Sequence, residues 1–190
     1  MYNKYNTEAL VLGTRDSGEA DKLLALYTRD FGLVRARATA LRGEKSKMRY
    51  ALQKFSRARI SLVKGKRGWR AAGAVALAQC TGNPAGIAAF ARVAELVLRL
   101  VHGEEQSEYL FAVLCEAHST LVEKECEAPA TIEIVCVARV LFALGYLSQE
   151  ALETTLLSQT SFGDPQLSEA ERLKDKLLLS INKAIAQTHL

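Results

Sequence analysis

Residues 57–70, RARISLVKGKRGWR, decide the fold of the amino-terminal part of this 190-residue chain. Every second residue over 58–62 is apolar and the residues between are basic or polar, a period typical of a β-strand with one buried face. The glycines of 65–68 predict a hairpin that leads into another strand from Trp69. The stretch therefore predicts two adjacent strands that direct their arginines to the outside of a sheet.

The same alternation appears elsewhere in the first 72 residues. Residues 33–38 alternate apolar with basic side chains, and residues 7–12 form a compact β-prone run. Residues 22–28 fit either a short helix or a strand, because periodicity over so few residues does not separate the two. We predict a small β domain over residues 1–78.

From Asn83 onward the apolar residues recur every three or four positions, which indicates amphipathic helices. Asn83 predicts an N-cap and Pro84 the first helical position. Further helices are predicted over 108–124 and over 129–144, the latter ending at Gly145. A short helix is predicted around 149–158, and a longer one begins at Ser168. Residues 79–190 are thus expected to form an all-α domain, and the chain to be an α+β protein of two domains.

Charge is distributed unevenly along the chain. Residues 1–72 carry 17 Lys and Arg against 6 Asp and Glu, or +11, whereas residues 73–190 carry 8 against 15, or −7. Residues 35–70 hold thirteen cations and one acid, Glu44. Such a surface attracts phosphates, and binding of this kind weakens steeply with salt. The expected DNA-binding cations are Arg35, Arg37, Arg42, Lys45, Lys47, Arg49, Lys54, Arg57, Arg59, Lys64, Lys66, Arg67 and Arg70. Tyr50 and Trp69 lie among them and are the expected base-stacking residues.

Several classes of protein are excluded by what the sequence lacks. Three Pro and 12 Gly among 190 residues, with 49% hydrophobic residues, exclude a disordered chain. The amino end predicts no export, no run is apolar enough to cross a membrane, and the dispersed cysteines predict reduced thiols in a cytoplasmic protein. No nucleotide-binding loop, metal-ligand spacing or catalytic pair is legible, so we expect no enzyme, cofactor or metal site. Carboxylates such as Glu104 and Glu105 are interpreted as solvating charges.

Five segments of the amino-terminal part together resemble a known family. They are residues 7–12, 15–21, Thr28 with Gly32, 38–42 and 51–55, and they closely resemble, in order and spacing, the amino-terminal half of the bacterial recombination mediator RecO. Residues 138–146, which end in Leu144-Gly145-Tyr146, resemble a helix of that family more weakly.

The resemblance implies an OB-fold barrel followed by a helical domain, in a nucleoid-associated protein. It implies binding of single- and double-stranded DNA, ATP-independent strand annealing and help in loading recombinase onto DNA coated with single-strand-binding protein. The implied partners are RecR and the acidic C-terminal tail of single-strand-binding protein. That tail is expected to contact Arg92, Arg99 and Arg139. For each of these arginines, the alternative role is to pair with a nearby Glu or to cap a helix.

The sequence departs from the family at three points. Many RecO proteins carry a zinc-binding module of four cysteines after the Leu-Gly-Tyr helix, but the 44 residues after Tyr146 contain no cysteine, so we predict no zinc. The usual Ala-Lys-Gly-Ala-Arg is replaced by Ala38-Thr39-Ala40-Leu41-Arg42. The usual Leu-Gln-Pro-Phe has Lys54 in place of Pro.

Two other functions stay open on the sequence. An OB-fold barrel binds RNA as readily as DNA, so an RNA-binding or ribosome-associated protein is the alternative. The second open function is that of an enzyme whose site no sequence motif reveals.

Overall fold

The computed structural model describes residues 3–41, 46, 48–123 and 126–188. The chain forms two compact units. Unit 1 comprises Met1–Cys80 and His102–Glu108, and unit 2 comprises Thr81–Val101 and Tyr109–Leu190. The sequence division at residue 78 did not anticipate that residues 102–108, called the strap below, pack with the strands.

Unit 1 is a closed five-stranded barrel. Its strands are β1 (Lys4–Ser17), β2 (Asp21–Thr28), β3 (Gly32–Ala38), β4 (Arg57–Gly65) and β5 (Gly68–Ala78). They follow the order β1-β2-β3-β5-β4, with β4 closing on β1; only the β3–β5 pair is parallel. This is the OB-fold barrel that the resemblance implied.

Alternation along the strands fills the interior of the barrel. Ala36 and Ala38 of β3 are buried, and so are Ala58 and Ile60 of β4, whereas the residues between them point outward. The ambiguous segment 22–28 is a strand, because pairing with both β1 and β3 satisfies its backbone and buries Leu24 and Leu26. The predicted hairpin is confirmed: Gly65 pairs with Gly68, which has φ +94°.

Unit 2 is helical. Its helices are α1 (Pro84–Leu100), α2 (Glu108–Leu121), α3 (Pro129–Ala143), α4 (Gln149–Leu152), α5 (Asp164–Arg172) and α6 (Lys174–Gln187). Asn83 is the predicted N-cap, since its side chain accepts a hydrogen bond of 2.8 Å from the Gly86 amide. Helix α3 packs against α1, α5 and α6. No helix in the described ranges has the length and apolarity needed to cross a membrane.

The expectation of one long helix from Ser168 is wrong. The helix begins four residues earlier, at Asp164, and its second residue is Pro165, which is favoured in a first turn because it has no amide hydrogen to satisfy. Leu173, with φ −99° and ψ 8°, then separates α5 from α6.

Gly32 provides a test of the contact between the strap and the barrel. Gly32 has φ +59°, and a β-carbon there would overlap the Glu105 carbonyl oxygen of the strap, whereas Gly18, with φ +75°, has open space around it. Gly18→Ala should therefore cost about 1 kcal/mol of unfolding free energy from backbone strain alone, and Gly32→Ala clearly more. Urea unfolding followed by the fluorescence of Trp69, the single tryptophan, measures both. Equal losses would mean that the strap does not pack on Gly32.

Candidate nucleic-acid interface

The structure brings one group of the predicted cations together across β3 and β5. Arg35 and Arg37 are exposed on β3, and the parallel register sets Arg37 beside Arg70 of β5. The β4–β5 hairpin adds Lys66 and Arg67, both exposed. We call Arg35, Arg37, Lys66, Arg67 and Arg70 the basic face.

A groove of about 530 Å³ runs along this surface. Its lining includes Arg37, Lys66, Arg67 and Arg70 of the basic face together with the acid Asp21. Four cations on one concave surface attract phosphates more strongly than the same charges spread over a convex one, because low-dielectric walls focus the field.

Asp21 partly neutralises the basic face. Its Oδ2 atom accepts a hydrogen bond of 2.9 Å from Arg37 Nε, and its Oδ1 atom accepts one of 2.8 Å from the Ala40 amide. These contacts hold the pKa of the Asp21 carboxyl below its ordinary value of 3.8, the Ala40 amide contributing most. The other members of the basic face form no ion pair within the described ranges, so their charges are available to a ligand.

A second group of cations lies elsewhere on the barrel. Arg57 and Arg59 belong to β4, and β5 lies between β4 and β3. Arg59 is opposite Val75, five residues along β5 from Arg70, which corresponds to about 16 Å of strand. The expected single charged surface is therefore divided in two.

The acid Glu8 of β1 lies beside this second group of cations, opposite Arg59 of β4. Its Oε2 atom is 3.1 Å from Arg29 Nη2, and its Oε1 atom is 3.9 Å from Arg59 Nη2. The second group is consequently less positive than its two arginines suggest.

Apart from Lys64 of β4, the remaining predicted cations precede β4. Arg49 and Lys54 are exposed, and the Lys54 ammonium lies 4.7 Å from the centre of the Phe55 ring. Arg42, Lys45 and Lys47 lie outside the described residues. Tyr50, with an exposed fraction of 64%, is accessible to a base as expected of a stacking residue.

Trp69 requires a correction. It is only 6% exposed, its ring packs edge-on against Tyr5 at 5.5 Å between centroids, and Phe31 lies at 5.3 Å. Its indole Nε1 donates a hydrogen bond of 2.7 Å to Glu104 Oε1. The ring is part of the barrel core because it occupies an inward phase of β5, and it offers no open face to a base.

Glu104 has a role that its sequence context does not reveal. This residue lies in the non-helical strap, where its Oε2 atom accepts a hydrogen bond of 2.7 Å from Lys64 Nζ. The interpretation of Glu104 as a solvating charge is thus wrong. No local signal could have revealed the pair, since 40 residues separate the two partners.

Two of the three arginines expected to receive an acidic peptide tail are occupied within unit 2. Arg92 forms a two-pronged ion pair with Glu133, with both hydrogen bonds at 2.6 Å. Arg139 is fully buried, donates to the carbonyls of Leu156 and Thr160, and lies 4.6 Å from the centre of the Phe162 ring. Arg139 therefore cannot contact a partner, and Arg99, which is exposed, is the remaining candidate.

Histidines, cysteines and acids do not converge within the described ranges. No three of them lie close enough to hold a metal ion there. All four cysteines are free thiols, and burial raises the pKa of the Cys136 thiol to about 12.

Comparison with known sequences relates the chain to a protein family. The family model described as "Recombination protein O N terminal" matches residues 1–72, which contain all of β1 to β4. The "DNA repair protein RecO" of Pelotomaculum thermopropionicum is 33% identical over 134 residues, which cover 65% of this chain and 49% of that protein.

Two further relatives carry the same name. The protein of Myxococcus xanthus is 30% identical over 133 residues, covering 68% of this chain and 54% of the relative. A protein of Desulfitobacterium hafniense is 42% identical over 62 residues, covering 33% of this chain and 23% of the relative. The chain spans about half the length of the Pelotomaculum thermopropionicum and Myxococcus xanthus proteins.

Asp21 should titrate at unusually low pH. Because its folded pKa is lowered, its contribution to stability is fully present above 3.8 and is lost only as the pH falls through the lowered value. Arg37 therefore remains paired at neutral and mildly acidic pH. Carboxyl ¹³C chemical shifts of the folded protein should give a midpoint below 3.8 for Asp21. A midpoint at or above 3.8 would show that the Ala40 and Arg37 contacts are absent in solution.

Arg139 should affect folding. Arg139→Met leaves the Leu156 and Thr160 carbonyls without their donor, and the expected loss of unfolding free energy is about 2–4 kcal/mol. The exposed Arg99→Met is the control and should change stability by less than about 0.5 kcal/mol. Urea unfolding followed by circular dichroism at 222 nm compares them, and similar losses would contradict a buried structural role for Arg139.

Proposed function

Because the chain belongs, through its amino-terminal barrel, to the RecO family of DNA repair proteins, we propose that it acts in DNA repair as a non-enzymatic recombination mediator. In this role it binds single- and double-stranded DNA, promotes annealing of complementary strands without ATP, and helps to load recombinase onto DNA covered by single-strand-binding protein. The basic face on an OB-fold barrel is the observation that carries the proposal.

Four side chains of the basic face supply the binding energy. Arg35, Lys66, Arg67 and Arg70 are exposed cations without an ion-pair partner in the described ranges. Lys66, Arg67 and Arg70 line one groove, and Arg35 lies two residues along β3 from Arg37 of the same groove. Contacts of such cations with backbone phosphates release condensed counterions, which gives affinity without sequence preference. Backbone contacts also explain how one surface accepts single and double strands, since both present phosphates.

Annealing follows from the same electrostatics. Two DNA strands repel each other through their phosphates, and a surface that neutralises part of that charge lowers the cost of bringing them together. Tyr50 adds a face on which a base can stack, worth about 1–3 kcal/mol per base where stacking occurs. ATP is not needed, because pairing of complementary strands is itself favourable.

Protein partners complete the proposed role. RecR and the acidic tail of single-strand-binding protein are the partners that membership of the family suggests. Arg99 is the residue of unit 2 that we propose for contact with the acidic tail, since its guanidinium is exposed and has no ion-pair partner in the described ranges.

Removal of the basic face should abolish most of the DNA affinity. The variant Arg35→Ala, Arg67→Ala, Arg70→Ala should bind a labelled single-stranded oligonucleotide at least tenfold more weakly at 0.1 M salt. The slope of log K against log salt should fall by about 2, since each lost phosphate contact on a single strand removes about 0.7. Fluorescence anisotropy at several salt concentrations measures both quantities.

The matched control removes the same charge from unit 2. Arg99, Arg172 and Lys183 are exposed there and have no ion pair in the described ranges, and their triple change to Ala should leave the salt slope within about 0.5 of the unchanged protein. Equal weakening by both variants would indicate attraction by net charge alone and would refute the assignment to the basic face. Tighter binding of a matched RNA oligonucleotide would favour the alternative of an RNA-binding protein.

A further inference from the structure

One carboxylate of the strap, that of Glu104, has two hydrogen-bond partners on the barrel. Glu104 Oε1 accepts a hydrogen bond from the Trp69 indole, and Oε2 accepts one from the Lys64 ammonium, each of 2.7 Å. Lys64 and Trp69 face each other across the β4–β5 pair. Glu104 thus bridges the two strands at the base of the hairpin that carries Lys66 and Arg67.

Lys64 lies at the base of the hairpin that carries Lys66 and Arg67 of the basic face. It is on the Trp69 side of the β4–β5 pair, with its ammonium 4.9 Å from the centre of the Trp69 ring, whereas Arg70 points to the other side of the strand. The side chain of Lys64 is 53% exposed and that of Glu104 is 40% exposed, so a phosphate can reach the pair. Glu104 nevertheless cancels the charge of Lys64 in the absence of a ligand.

The two hydrogen bonds of Glu104 differ in what breaking them costs. An ion pair as exposed as Lys64 with Glu104 contributes little to stability, because water and salt screen it. The indole hydrogen bond belongs to a buried ring, and losing it leaves a buried donor unsatisfied. A competing anion can therefore take Lys64 while Glu104 stays attached to Trp69.

We propose that Glu104 is an internal competitor of the nucleic-acid phosphate for Lys64, and so determines how many phosphates the hairpin holds and how tightly. The inference rests on the proposed function, since it concerns the same DNA-binding surface. The pKa of Glu104 is held below its ordinary value of 4.5, first by Lys64 and then by Trp69, so the carboxylate is ionised wherever DNA binding is measured.

The decisive variant is Glu104→Gln. A glutamine oxygen still accepts the Trp69 hydrogen bond, but the neutral amide no longer holds the Lys64 ammonium. Freed Lys64 adds about one phosphate contact, which steepens the salt slope by about 0.7 and tightens binding of single-stranded DNA about fivefold at 0.1 M salt. An unchanged emission spectrum of Trp69 would show that the strap remains in place.

Two controls separate release of Lys64 from simple loss of negative charge. Glu105→Gln removes the same charge from the neighbouring strap residue, which forms no ion pair in the described ranges, and should change affinity less than Glu104→Gln. In a background of Lys64→Met, Glu104→Gln should give no gain beyond that of Glu105→Gln, because the cation that it releases is gone.

A second comparison leaves Glu104 unchanged, so it tests the proposal even if Glu104→Gln folds poorly. Lys64→Met should reduce the salt slope less than Lys66→Met, since Lys64 is already neutralised and Lys66 has no ion-pair partner in the described ranges. Equal reductions would overturn the inference, as would equal gains from Glu104→Gln and Glu105→Gln. If the unchanged protein bound DNA with no salt dependence, the proposed function would fail and the inference with it. Normal binding without the Glu104 effect would refute the inference alone.

Discussion

Closure of five strands around an apolar interior is the constraint on which the rest of unit 1 depends. A closed barrel has room inside for small and branched side chains, and the pleat then forces the alternate residues outward. Ala36 and Ala38 occupy the interior, so Arg35 and Arg37 are placed outside. The positive surface is therefore a direct consequence of the same alternation that builds the core.

The outward cations are not equivalent, because carboxylates from distant parts of the chain pair with some of them. Asp21 holds Arg37, Glu8 lies within ion-pair distance of Arg59, and Glu104 of the strap holds Lys64. These pairs divide the cations of unit 1 into those that stabilise the barrel and those open to a ligand. Among the cations without an ion pair in the described ranges, Lys66, Arg67 and Arg70 line one groove, so the positive charge is not spread evenly over the barrel.

Burial changes the role of residue types that are usually associated with binding. Trp69 is a large aromatic residue in a basic segment, yet its ring joins Tyr5 and Phe31 in the core and its indole fixes the strap. Arg139 is a cation on an apolar helix, yet it satisfies two carbonyls inside unit 2. In both cases polar atoms of the side chain donate to acceptors within the chain, which offsets part of the cost of burying them.

The sequence by itself determined four of the five strands, the hairpin, the starts of most helices and the outward placement of the arginines. These follow from local periodicity and from the conformational preferences of glycine, proline and asparagine. Tertiary structure alone decided which cations lie together and which have a partner. The parallel pairing of β3 with β5 joins Arg37 to Arg70, and the strap brings Glu104 to Lys64 across 40 residues of sequence. Contacts of this kind depend on strand order and on long-range packing, and no pattern within a short window of sequence encodes them.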